Sequence, residues 1–187
     1  MDDPVKAEFE NLLAALPLLG SVAFTARAVR RVEPLFSEPD EENPIGGAKL
    51  IADAISTAEQ IAQGAGITFE VASSTARDVA GVSRAVSDVS SHVAKAAAGT
   101  AGTGAIAVGG NPEAAVHAMR AAANCARDVL KAADDEACKI ALLADIAGLT
   151  KLCADQGAGA AIPGDFFKQD LWAAGEPDWF KAPAAED

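Results

Sequence analysis

Residues 79–93 read VAGVSRAVSDVSSHV, and the spacing of the valines decides the fold class. Val79, Val82, Val86, Val89 and Val93 recur at alternating steps of three and four, the period of one helical face. Serines and charged residues occupy the opposite face. Outward from this seam, residues 68–98 read as one long helix. The seam covers little more than two heptads, which suits a bundle helix crossing its neighbours at a shallow angle better than a free coiled coil.

The flanking sequence repeats the theme. Towards the N-terminus, Ile51, Ala54, Ile55, Ala58 and Ala62 mark an amphipathic helix over residues 46–63, closed by Gly64 and Gly66. Before it, Val22, Ala26 and Val29 stripe a helix over residues 18–32, which Pro34 ends. A first helix spans residues 4–16, with Asp3 as cap and Pro4 in its first turn, and Pro17 kinks or breaks it. Residues 37–44, SEPDEENP, form an acidic, turn-rich connection. Towards the C-terminus, residues 99–110 are rich in glycine, threonine and alanine and read as a linker. Asn111 and Pro112 then open a fifth helix with Val116, Met119, Ala123, Ala126, Leu130 and Ala133 on its seam. Asp134 or Asp135 caps a sixth helix running to about residue 154. Its apolar residues, Ile140, Leu142, Leu143, Ile146, Leu149 and Leu152, lie nearly all round it, which places it at the centre of the bundle.

The expected fold is therefore all-α: a single bundle of about six helices over residues 1–155, followed by an irregular aromatic tail over residues 156–187. The tail holds both tryptophans, Trp172 and Trp179, and three of the seven phenylalanines. So many bulky aromatics in an irregular segment imply that it docks on the body, because each buries a large area. They also make the tail a candidate interface.

Composition narrows the function. Of 187 residues 45 are alanine, against 13 leucines, 13 valines and 9 isoleucines. Alanine favours helix strongly but fills little core, so the helices must approach closely. The net charge of −12 argues against nucleic acid, whose phosphates need clustered cations. Arg27, Arg30 and Arg31 are the only basic cluster and are too few for such a footprint. Acidic charge favours solubility and a basic protein partner. The three cysteines, Cys125, Cys138 and Cys153, are odd in number and show no CxxC, so a disulfide framework is not expected and a reducing cytoplasm is. The start, Met-Asp-Asp-Pro, lacks the features of a signal peptide, and no stretch is apolar enough for a membrane span.

No chemistry-bearing motif stands out. Residues 99–104, GTAGTG, lack the lysine and the preceding strand of a phosphate loop. His92 and His117 have no partner at zinc-ligand spacing, and Asp88 is a surface partner for His92 at i, i+4. The cysteines read as small buried apolar groups rather than nucleophiles. Asp134, Asp135 and Glu136 fit capping at a helix start better than an acid pair. Asp145 reads as exposed. No catalytic, cofactor-binding or metal-binding residue is assigned.

Three features together resemble a known group. They are TARAVRRVEPLF at residues 25–36 before an acidic, proline-containing turn, the alanine-rich helical middle, and the ending IPGDFF at 162–167, Leu171-Trp172 and GEPDWF at 175–180. This order resembles a group of bacterial alanine-rich all-helical proteins, some of them predicted immunity proteins of polymorphic-toxin systems. The resemblance implies a cytoplasmic bundle that binds and neutralises a toxin, and it carries over no catalytic residue.

The sequence thus points to a non-enzymatic protein-binding bundle without cofactor, its candidate contact residues being Glu38, Asp40, Glu41, Glu42, Trp172, Trp179 and Phe180. One alternative is a structural protein that self-associates through its valine seams. Another is a small-molecule binder or enzyme with a pocket between helices, which a polar cluster inside the bundle, for instance Asp145 with a histidine or cysteine, would support.

Overall fold

The computed structural model describes residues 3–39, 45–172 and 175–180. Among them it is all-helical, with eight α-helices and one 3₁₀ turn rather than six helices. These are α1 (Pro4–Leu13), α2 (Leu18–Val32), α3 (Gly47–Ala62), α4 (Phe69–Ala85), α5 (Asp88–Val108), α6 (Ala114–Ala133), α7 (Glu136–Gln156) and the short α8 (Gly164–Phe167). No helix among the described residues is long and apolar enough to cross a membrane.

Local chemistry explains most boundaries. Asp3 caps α1, accepting from the amides of Val5 and Lys6. Pro17 breaks the chain there, standing extended before α2. Asp135 caps α7 by accepting from the Ala137 amide at 2.7 Å. The fifth expected helix, α6, begins two residues late: Asn111 accepts from the Glu113 amide in a preceding turn.

Two expectations are corrected. The long helix over 68–98 is two helices, because Val86 and Ser87 are extended and Asp88 takes a positive φ of 49°. The break lets α4 fold back on α5, its most intimate neighbour. The valine seam then closes on the interior: Val79, Val82 and Val93 are buried, whereas Val89 is left exposed. The supposed linker over 99–110 is mostly the second half of α5. Its glycines lose helix propensity, about 1 kcal/mol each, but they permit close approach. A Cβ on Gly104 would stand 2.9 Å from Ile61 Cδ1 of α3, and one on Gly99 would stand 3.5 Å from Cys125 Cβ of α6.

The central helices are α2 and α5, not α7. Each of the two touches α3 and α6 and the other, and from Gly20 to Val32 only Arg30 of α2 is not buried. By contrast α7 packs on α2 and α6 with one stripe, Cys138, Ala141, Leu142, Asp145, Ile146, Leu149 and Cys153, and leaves Ile140 exposed. The C-terminal segment covers part of its flank. The core is built from alanine as much as from larger side chains, with Phe9, Phe24, Leu13, Ile51, Ile55, Leu142 and Leu149 as its bulk.

Candidate functional site: a buried arginine pair under the C-terminal segment

Among the described residues, the largest side chain that is less than 2% exposed belongs to a charged residue, Arg31. Arg27 and Arg31 lie one turn apart on α2, so both point to the same side, where α7 presents Asp145 between them. Arg27 Nε donates to Asp145 Oδ1 at 3.1 Å, and Arg31 Nη1 donates to Oδ2 at 2.7 Å. Side-chain exposures are 3% and 1% for the arginines and 7% for the aspartate. The expectation that Asp145 is exposed is therefore wrong. Its register decided otherwise: it shares the apolar stripe of Leu142, Ile146 and Leu149.

One carboxylate leaves two buried guanidiniums with an excess positive charge, and a buried charge is costly unless compensated. The compensation comes from main-chain carbonyls. Arg27 Nη1 donates to the carbonyls of Phe166 (2.9 Å) and Gln169 (3.1 Å), and Nη2 donates to Asp170 (2.7 Å). Arg31 Nε donates to the Leu171 carbonyl at 2.8 Å, and Nη2 reaches the Ala141 carbonyl at 3.5 Å. Four of these five acceptors belong to the C-terminal segment. Burial still pulls the Arg27 guanidinium below its ordinary value, with Asp145 opposing and Arg31 adding to the fall.

Rings complete the seal. Arg27 Cζ lies 4.9 Å from the centroid of the Phe166 ring, and Arg31 Cζ lies 5.9 Å from that of Trp172. Such cation–π contacts strengthen where water is excluded. Ile162, Phe166 and Trp172 are all buried, and the Ile162 amide donates to the Ala62 carbonyl at the end of α3. Beyond them Trp179 Nε1 donates to Asp135 Oδ2 at 3.0 Å. Trp172, Trp179 and Phe180 meet edge to face, with centroids 5.2–6.1 Å apart. The segment is thus a strap running back along α7, from its C-terminal end to its cap. The Trp172 indole N–H has no acceptor among the described residues despite its burial.

This cluster has little capacity left for a ligand. A guanidinium has five N–H donors, and Arg27 spends four of them inside the protein. The adjoining cavity, between Asp145, Gly148 and residues 166–171, is only about 150 Å³. A larger groove, about 470 Å³, lies elsewhere, between the α1–α2 corner and the end of α7, and is lined by Leu16, Pro17, Thr150 and Cys153 among others.

The other sequence candidates fall as follows. Glu38 is half-buried and accepts from the amides of Ile45 (3.1 Å) and Ala48 (3.0 Å), so it serves the start of α3. Asp40, Glu41 and Glu42 lie outside the described residues. Trp172 is buried, while Trp179 and Phe180 are half-buried. His92 turns to α6 rather than to Asp88: its Nδ1 stands 3.9 Å from Asp128 Oδ1. Burial and Lys95 hold its imidazole below the ordinary value, against the pull of Asp128. The cysteines are unpaired and buried, and burial pushes the Cys125 and Cys138 thiols up to about 12, where no thiolate forms at neutral pH. Among the described residues no three His, Cys, Asp or Glu side chains gather as a metal site.

The arginine–aspartate cluster is what sequence reasoning missed. Its signal was present: two arginines at i, i+4 on a helix whose other residues there are apolar or small, and one acid in register with an apolar stripe. No protein-family model, curated protein or solved structure matches the chain.

Proposed function

We propose that this chain is a non-enzymatic helical bundle that acts by binding a basic protein partner. The observation that carries this is the corner where the strap ends. There Trp179 and Phe180, half-buried and held edge to face, stand beside Asp135. Asp134 and Glu136 flank it on the chain and are exposed, as are Glu176 and Asp178 on the strap side. Rigid aromatics rimmed by carboxylates fit lysine and arginine side chains, through ring contacts at the centre and charge at the rim.

Charge supports the choice of partner. Withdrawing two guanidiniums and one carboxylate into the core from a net −12 leaves −13 on the rest of the chain. A field of that sign speeds encounter with a basic surface. The resemblance to immunity proteins narrows the proposal to neutralisation of a toxin, in a reducing cytoplasm that suits three unpaired thiols. The enzyme alternative is less favoured because the polar cluster inside the bundle spends its donors on the protein's own carbonyls. The self-association alternative loses its continuous seam at Val86 and Ser87.

The test is a tagged pull-down from the native host, followed by binding kinetics with the purified partner. Glu136→Lys should slow association several-fold at low salt, and the loss should shrink as salt rises. Trp179→Ala should raise the dissociation rate instead. Unchanged rates in both variants would remove this corner as the contact surface, and a host that yields no partner would remove the reading itself.

A further inference from the structure

The strap is bound to the body as a peptide is bound to a receptor. Apart from the chain linkage, residues 162–172 are held by side chains and carbonyls of α2, α3 and α7. Arg27 and Arg31 read main-chain carbonyls of four strap residues, which fixes the path of the segment without regard to sequence. Ile162, Phe166 and Trp172 are the buried anchors, which supply the sequence preference. The link to α7 is residues 157–161, GAGAA, all exposed but the half-buried Ala160. It has no side chain longer than a methyl, and Gly157 turns it at a φ of 97° with the Ala160 amide donating to its carbonyl.

We infer that the strap seat also accepts the strap of a second copy, so that two chains exchange residues 162–180 reciprocally into a two-fold dimer. An exchange of identical elements rebuilds every contact just described and adds only the extension of the link, which makes it a low-cost route to dimers. The link is suited to that change, because glycine and alanine give up little on leaving the turn and no buried group anchors them. The occupant follows from the seat, which already holds this sequence with its carbonyls matched to both arginines. The proposal is independent of the partner reading, and in the exchanged dimer the Trp179–Asp135 corner would be built from two chains.

Two full-length experiments test it by light scattering after size exclusion. Deleting Ala158, Gly159 and Ala160 removes the turn and prevents closure within one chain, so the variant should run at twice the monomer mass. A monomer whose strap has become protease-sensitive would overturn the proposal. The second arm does not depend on that deletion folding. Arg31→Ala damages the seat, and Trp172→Ala damages the strap. Each alone should stay monomeric, whereas a 1:1 mixture should yield a species of twice the mass, since the sound strap of one copy meets the sound seat of the other. A mixture that stays monomeric at every concentration would contradict the exchange.

Discussion

Asp145 joins the body to the strap, because among the described residues it is the only carboxylate bonded to two buried guanidiniums. Asp145→Ala takes away their only shared counter-charge, leaving them to main-chain carbonyls alone, and should destabilise the protein by about 3–5 kcal/mol, read as a lower midpoint in urea. Replacing a whole buried ion cluster with apolar residues is often harmless, but not here. Changing Arg27 and Arg31 to Met and Asp145 to Leu strips the donors from the carbonyls of Phe166, Gln169, Asp170 and Leu171, and orphaning the Phe166 acceptor, whose bond is the buried one, costs about 1–3 kcal/mol. The triple variant should therefore remain less stable than the wild type. The thiols give a pH prediction. Cys125 and Cys138 sit at about 12 in the fold against an ordinary 9.0, so the native state holds their protons more tightly. The resulting stabilisation is complete below about pH 9 and is lost as pH rises towards 12. Urea titrations at pH 8 and 10.5 should show a loss that is smaller in Cys125→Ala. The burial of the thiols was legible from residue type, but the ion cluster was not, since arginine and aspartate are surface residues by default. Only their register with apolar neighbours marked them.

At the scale of elements, helix starts were legible and helix stops less so. Asp3, Pro4, Pro17 and Asp135 act through local chemistry, and α1, α2 and α7 begin within a residue of where they imply. The break at Val86 and Ser87 escaped because the valine period continues across it: two helices folded back on each other need the same face. The glycines of residues 99–104 misled for the opposite reason. Low propensity reads as a linker, yet tertiary packing overrode it, since α5 lies between α2, α3, α4 and α6 and needs small residues there. The distinction is testable. A Cβ on Gly102 would meet nothing within 4 Å, so Gly102→Ala should stabilise by about 0.5–1 kcal/mol. Gly104→Ala should gain less, because Ile61 must move. Equal gains in thermal unfolding would mean that α3 and α5 are not in close contact. The apolar ring around α7 misplaced that helix at the centre, since Ile140 faces outward and the strap covers one of its flanks.

At the scale of the whole molecule, aromatic content pointed to a docked C-terminal segment but not to what residues 162–172 lie against, which is the arginine pair of α2. An alanine-rich body has few large side chains to hold a tail by area alone. The seat is instead a charged core whose excess positive charge is compensated by the carbonyls of the segment it holds, so body and strap stabilise each other. Trp172→Ala should then cost about 3–5 kcal/mol and loosen the Trp179 corner with it. The most direct test of this interdependence is amide hydrogen exchange over residues 162–172 in the wild type and in Asp145→Ala. The account predicts protection of the Ile162 amide in the wild type and its loss in the variant, with α5 and α6 still protected. Exchange of the wild-type strap at the rate of an unstructured peptide would contradict it.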